Sequence, residues 1–287
     1  MSTSPSTGAT APTAPTYRII RVPRASPRLA ELVTKSRTTR LHALETDATS
    51  FLAQHAVEAA LPLETWHRRF SNPETTILAC VATSEDTRES ASGGSDTAVS
   101  PDDEYQNGDG DADVTLLLQR QWVAVAALRG PMRYEDYYAT PDMGLPIPAN
   151  PQAEARWHVY DLYTLPSHRG RGLAGKLVNA CVAAALEGSR NQPADELGSE
   201  LDISKPATME TTVRKARIRL FMNPATTWLV AMYEALGFQA AGAVTLEEGF
   251  RANCLDESIP GGTRESVEGR AKWHTRFGLA MERVVPL

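Results

Sequence analysis

The stretch that decides the fold is DLYTLPSHRGRGLAGKLV, Asp161–Val178. An alternating, strand-like run, Arg156–Leu165 (RWHVYDLYTL), enters it. A Pro-Ser-His turn follows. Then Arg169-Gly170-Arg171-Gly172-Leu173-Ala174-Gly175-Lys176 opens a helix. Small residues let a backbone approach a ligand closely, and the first N–H groups of a helix have no intrahelical acceptor. The helix dipole adds positive potential at the same end, so the turn is built to receive a pyrophosphate. Arg169, Arg171 and Lys176 reinforce the charge. Glycines serving only a tight turn would leave those three basic side chains unexplained.

The helix itself reads from Leu173 to about Glu187, with Leu173, Leu177, Val178, Cys181, Val182, Ala185 and Leu186 as one apolar stripe. On the other side of the chain, Tyr17–Val22 and Thr75–Ala82 read as strands. Ser26–Phe70 is helical, with a further short helix through Leu63, Trp66 and Phe70. Val114–Arg129 reads as strand, and so do Val213–Met222, Phe238 to about Leu246, and Trp273–Val285. Ala225–Leu236 reads as a helix closed by Gly237 at a left-handed position. No internal repeat or composition break divides the chain. The expected organisation is a tail over residues 1–16, too poor in apolar surface to order, and a single domain over 17–287. Inserts are expected at 84–113, 130–155 and 189–211.

Composition narrows the function. The 287 residues carry a net charge of −6, but ten acids between Glu85 and Asp113, opposed only by Arg88, account for −9. The remainder is mildly basic, which suits an anionic ligand. No chain-wide basic balance points to nucleic acid, and no apolar run reaches membrane-spanning length. The N-terminus lacks a basic segment followed by an apolar one, so no secretory signal is read. The expected setting is intracellular, cytoplasmic or nuclear. Cys80, Cys181 and Cys254 are too few and too scattered for a disulfide framework, and the six histidines show no metal-binding spacing. No metal is expected.

Two ligands compete for the turn. Gly170-x-Gly172-x-x-Gly175 spells the dinucleotide fingerprint, but that motif needs its first glycine at the strand end and an acid about 20 residues on, closing a second strand. Neither is present. Arg169-x-x-Gly172-x-Ala174 instead resembles the pyrophosphate loop (Arg/Gln-x-x-Gly-x-Gly/Ala) of the GNAT superfamily of acyl-CoA-dependent N-acetyltransferases. The approach LYTLPSHRGRG is similar to that family's LYVxPxxRGxG. Sixty residues after Gly172, Met232-Tyr-Glu-Ala-Leu-Gly-Phe238 resembles its LYExxGF signature.

The resemblance implies a mixed, mostly antiparallel sheet of six or seven strands flanked by about four helices. The strands at 156–165 and 213–222 would splay to admit acetyl-CoA, the co-substrate. Backbone groups of Tyr163, Thr164 and Leu165 would contact its pantetheine arm. Arg169, Gly170, Arg171, Gly172, Leu173, Ala174, Gly175 and Lys176 would hold its pyrophosphate. Asn223 matches a cofactor-contacting asparagine, although it stands one helical turn further from Tyr233 than the family spacing.

Tyr233 matches the tyrosine that protonates the departing thiolate, and a core tyrosine on the apolar face of Leu229, Met232 and Leu236 would look the same. Some members carry a His or Glu at the position of His158. Period-two counting back from Thr164 puts Leu162, Tyr160 and His158 on one face and Asp161 on the other unless a bulge intervenes. His158 is therefore the candidate base, with water or no base as alternatives. The acceptor, an amine of a small molecule or of a peptide or protein, would enter among residues 30–70, 130–155 and 247–269. Tyr134, Tyr137 and Tyr138 would offer an aromatic wall there, and Glu247, Glu248, Asp256 and Glu257 would attract a cation. A non-catalytic acyl-CoA-binding module is the alternative, with a dinucleotide enzyme behind it.

Overall fold

The computed structural model describes residues 15–83, 105–106, 110–138, 153–191 and 215–287. The expected tail up to residue 14, most of the acidic insert and the interiors of the inserts at 130–155 and 189–211 lie outside the described residues.

The chain runs β1 (Thr16–Arg21), α1 (Leu29–Thr46), α2 (His55–Ala59), α3 (Leu63–Phe70) and β2 (Thr75–Thr83). It continues with β3 (Tyr105–Gln106), α4 (Asp111–Gln119), β4 (Trp122–Arg129), α5 (Tyr134–Tyr137), β5 (Glu154–Thr164) and α6 (Leu173–Arg190). The last part is β6 (Lys215–Met222), α7 (Thr227–Ala235), β7 (Gln239–Val244), α8 (Leu246–Ala252), α9 (Val267–Trp273) and β8 (Gly278–Pro286). One sheet has the order β3-β1-β2-β4-β5-β6-β8-β7. Only β1–β3 and β5–β6 pair in parallel; the other neighbours are antiparallel. Apart from the two-residue β3, this is the expected mixed, mostly antiparallel sheet of seven strands.

Strand alternation divides the core. Leu78 and Cys80 of β2 face α6, with Trp157, Val159, Ile218, Leu220 and Met281. Ala79 and Val81 face the other way, against Leu32, Val33, Trp66, Phe70 and Leu117 from α1, α3 and α4. Of the apolar stripe read for α6, Leu186 is half-buried and the other six residues are buried. At Gly188 the helix comes so close to the sheet that an added Cβ would stand 2.5 Å from the Trp157 ring.

Several boundaries differ from the sequence reading. The stretch read as strand from Val114 begins as helix α4, and the strand starts only at Trp122. Asp111 and Asp113 sit in the helix's first turn, where its dipole favours acids. Asp113 pairs with Arg18 at 2.7 Å, so the end of the acidic insert is folded structure, not solvated loop. Trp273 ends α9 and packs on Phe250, and the last strand begins at Gly278. The segments read as loops at 130–155 and 247–269 hold α5, α8 and the start of α9. The expected four or so helices are therefore joined by several short ones. Among the described residues no helix is long and apolar enough to cross a membrane.

Candidate active site

The parallel ladder between β5 and β6 runs from Glu154–Lys215 to Val159–Leu220 and stops. Beyond it β5 follows β4 as far as Thr164, and β6 follows β8 as far as Met222. The two strands therefore part at their C-terminal ends, as expected for the segments at 156–165 and 213–222. The glycine turn follows the parted end of β5. Gly170 and Gly172 have φ of 73° and 74°, and nothing lies within 4 Å of where their Cβ atoms would be. Such φ values are ordinary for glycine and costly for other residues. The first intrahelical bond of α6 joins Lys176 N–H to the Gly172 carbonyl (3.1 Å), so the amides of Leu173, Ala174 and Gly175 precede the ladder. Residues 169–172 are exposed.

Arg169 is anchored rather than loose. Its Nη2 meets Asp47 Oδ2 at 2.5 Å, and its Nε donates to the Thr164 carbonyl at 3.1 Å. His168 Nδ1 lies 3.0 Å from the Tyr17 hydroxyl, and the Arg171 guanidinium sits 6.0 Å from the Tyr17 ring. Leu165 donates its N–H to Val123 and accepts from His168. Tyr163 is buried, its hydroxyl 2.8 Å from Thr46 Oγ1. Thr164 keeps a buried Oγ1 without a partner among the described residues. Exposed Asn223 follows the end of β6, its Oδ1 accepting the Ala225 N–H.

Tyr233 lies in the main core against Phe238. Burial, with the Cys181 thiol nearby, pushes its hydroxyl pKa up, so the group stays protonated at neutral pH. His158 is fully buried, stacked on Tyr160, with Nε2 2.9 Å from Asn253 Oδ1 and Nδ1 3.4 Å from Arg219 Nε. Burial first, then the charges of Arg219 and Arg129, hold its pKa well below the usual range; the Asn253 hydrogen bond opposes them.

Two adjoining clefts open between α1, α3 and strands β4 and β5, with volumes of about 50 and 80 Å³. They share Ser36, Arg40, Ile77, Ala127 and Asp161. Neither Tyr233 nor His158 lines them. Asp161 reaches them because of a bulge: its φ is +54°, and the β4–β5 register shifts between Val125 and Ala127. The extra residue returns Asp161 to the cleft side. Arg40 joins the carboxylates, bonding Glu58 through Nε (3.1 Å) and Nη2 (3.0 Å) and Asp161 through Nη1 (2.8 Å). Burial raises the Asp161 pKa, and Arg40 opposes the rise. Sequence reasoning missed this cluster. Arg40 and Glu58 are two of many charged residues in the helical run 26–70, so nothing local singles them out.

The acceptor-side expectations fare differently. Tyr137 and Tyr138 form no open wall; both are buried, donating to Glu282 (2.6 Å) and Glu154 (2.9 Å). The loop acids already have partners on the protein. Glu247 pairs with Arg251, Arg264 and His274, Glu248 with Arg276, Asp256 with Arg251 and Glu257 with Arg69.

The dinucleotide alternative also lacks its acid, because Asn223, not a carboxylate, follows β6. No curated protein sequence matches the chain significantly. Among solved structures, Arabidopsis thaliana NAA60 with a bisubstrate analogue is similar at 10% identity, over 95% of this chain and 99% of that one, with a TM-score of 0.45. A ribosomal-protein-alanine N-acetyltransferase from Brucella melitensis is similar at 13% identity over 93% and 99%, with a TM-score of 0.42. A Vibrio cholerae spermidine N-acetyltransferase with CoA and spermine gives 10% identity over 94% of each chain and a TM-score of 0.37. Residues 97–193 match the family model described as acetyltransferase (GNAT) family. That span, which holds β4, β5, the glycine turn and α6, is the part of the chain that is similar to the GNAT acetyltransferase family.

Proposed function

We propose that this chain transfers an acetyl group from acetyl-CoA to an amine by direct attack in a ternary complex. The observation that carries this reading is the open glycine turn at the point where β5 and β6 part. The amides from Gly170 to Gly175, with the side chains of Arg171 and Lys176, hold the pyrophosphate. Arg169 fixes the turn through Asp47 and the Thr164 carbonyl. The free edge of β5 at Tyr163 and Thr164 lies along the pantetheine arm, and Asn223 stands at the opposite strand end. Acetyl-CoA supplies a thioester whose carbonyl the amine attacks.

Tyr233 serves as the acid for the departing thiolate; a hydroxyl kept protonated by burial meets that requirement. The amine needs to lose a proton, because an alkyl ammonium has a pKa near ~10.4. Asp161, the carboxylate common to both clefts, meets the ammonium, and its raised pKa makes it a better proton acceptor than an ordinary aspartate.

Thermal unfolding with acetyl-CoA and with NAD(P) tests the ligand. A ligand at 100 times its Kd adds about 2.7 kcal/mol. Stabilisation by acetyl-CoA alone, followed by amine-dependent release of free CoA thiol, supports the transferase. Stabilisation by NAD(P) alone overturns it. Tight acetyl-CoA binding with no thiol release across primary, secondary and aromatic amines would leave the binding-module reading instead.

A further inference from the structure

The second cleft has a chemical preference of its own. Arg219 has only N–H donors, and its Nε lies 3.4 Å from His158 Nδ1, so Nδ1 is the acceptor. A neutral imidazole has one N–H, which must then be on Nε2. That N–H points at Asn253 Oδ1, 2.9 Å away. The amide oxygen is thus engaged with His158, and the Asn253 NH2 takes the opposite side. Asn253 lines the second cleft with Tyr160, Asp161, Cys254 and Trp66. Among the described residues no acceptor meets that NH2. Trp66, only 7% exposed, also keeps its Nε1–H without a partner. The cleft's cations offer no alternative, since Arg40 and Arg69 are committed to Glu58, Asp161 and Glu257. The Asn253 NH2, a donor left over at the cleft, favours a ligand that brings an acceptor oxygen.

We propose that Arg219, His158 and Asn253 form a directional hydrogen-bond chain that presents the Asn253 NH2 to this cleft, and that the acceptor is a small amine carrying a carbonyl oxygen, of an amide or a carboxylate, which docks there. His158 is then a positioning residue. The amine of the same molecule reaches Asp161, which lines both clefts. A volume of about 80 Å³ takes a carbonyl-bearing head group of a few heavy atoms. The ligand's being acetylated rests on the transferase reading; its docking by the Asn253 NH2 does not.

Equilibrium binding in the presence of CoA tests the pocket without needing turnover. The ligands are glycinamide, β-alaninamide and 4-aminobutyramide, their free acids, and the propyl- and butylamines that lack the carbonyl. The wild type should bind at least one amide or acid more tightly than the amine of matched length. Asn253→Asp keeps the oxygen that faces His158 but removes the NH2, and should reduce that preference about 3- to 10-fold, the loss of one hydrogen bond. His158→Phe should reduce it as well. In the wild type, imidazole ¹⁵N shifts should show the proton on Nε2. A preference that is absent in the wild type, or that survives in Asn253→Asp, overturns the proposal, and so does a proton on Nδ1. Acetyl-CoA titration of the same samples reports separately on the transferase reading.

Discussion

Replacing Arg40 with methionine tests whether the cleft is built around a buried ion cluster. Arg40 donates to both Glu58 oxygens and to Asp161, and its guanidinium lies 4.7 Å from the Phe51 ring. Glu58 is fully buried, and the Asp161 side chain is 25% exposed. Methionine fills most of the space but leaves Glu58, among the described residues, with Arg69 alone, 3.7 Å away. Breaking one side of a buried pair strands a charge, which costs about 3–5 kcal/mol. Urea unfolding at neutral pH should show a loss of that order. Arg40→Met combined with Glu58→Met removes the stranded charge and should recover part of it, since apolar replacement of a buried pair is often neutral.

The loss should also depend on pH. Burial raises the Asp161 pKa in the folded state, and Arg40 restrains the rise. Without Arg40 the folded carboxyl binds its proton more tightly still than the unfolded one. Stability then falls as pH rises from the unfolded value toward the folded one. The variant should therefore be closer to wild type at pH 5 than at pH 8. A loss below about 1 kcal/mol, the range of solvated surface pairs, with no pH trend, would refute the buried cluster.

Tyr233→Phe should lower turnover by orders of magnitude while leaving acetyl-CoA affinity nearly unchanged; steady-state kinetics beside a binding titration separates the two, and equal losses would remove the acid role. Gly172→Val forces a branched side chain into φ 74°, so thermal unfolding should show about 1–2 kcal/mol lost and titration a weaker acetyl-CoA complex. His158 has a depressed folded pKa, so its contribution is present above the unfolded value near ~6.5 and is lost as pH falls below it. Urea unfolding from pH 7.5 to 5 should show a smaller decline in His158→Gln than in wild type. Gly188→Ala puts a methyl 2.5 Å from the Trp157 ring, and overpacking of that kind should cost about 1–3 kcal/mol in the same assay.

What was legible in the sequence was local. The α6 stripe repeats every three to four residues, and Gly170 and Gly172 take the positive φ that only glycine adopts cheaply. The capping box Thr245-x-x-Glu248, both of whose bonds form, is a local signal too, and it starts α8 where alternation alone predicts the end of a strand and a loop. The run Leu116-Leu117-Leu118 followed by Trp122 was ambiguous in itself. A continuous apolar run fits a buried strand or a buried helix equally, and a tertiary detail decides it: the Trp122 Nε1–H donates to the Leu117 carbonyl and turns the chain from α4 into β4.

The candidate site resists reading for a stricter reason. Its defining pairs join residues far apart in sequence: Arg40 with Asp161, 121 residues on, and His158 with Asn253, 95 residues on. No window of sequence contains both partners of either pair. Period-two counting fails at the same place. It assigns Asp161 away from His158 and Tyr160, and it holds only while the ladder is regular. One bulged residue reverses the side on which a strand residue lies. The bulge is not announced by a glycine; an aspartate adopts the left-handed conformation there, held on the cleft side by the Arg40 ion pair. The same contact that makes Asp161 a candidate functional residue thus breaks the pattern by which its position was counted, so Arg40→Met should move Asp161 as well as unpair it.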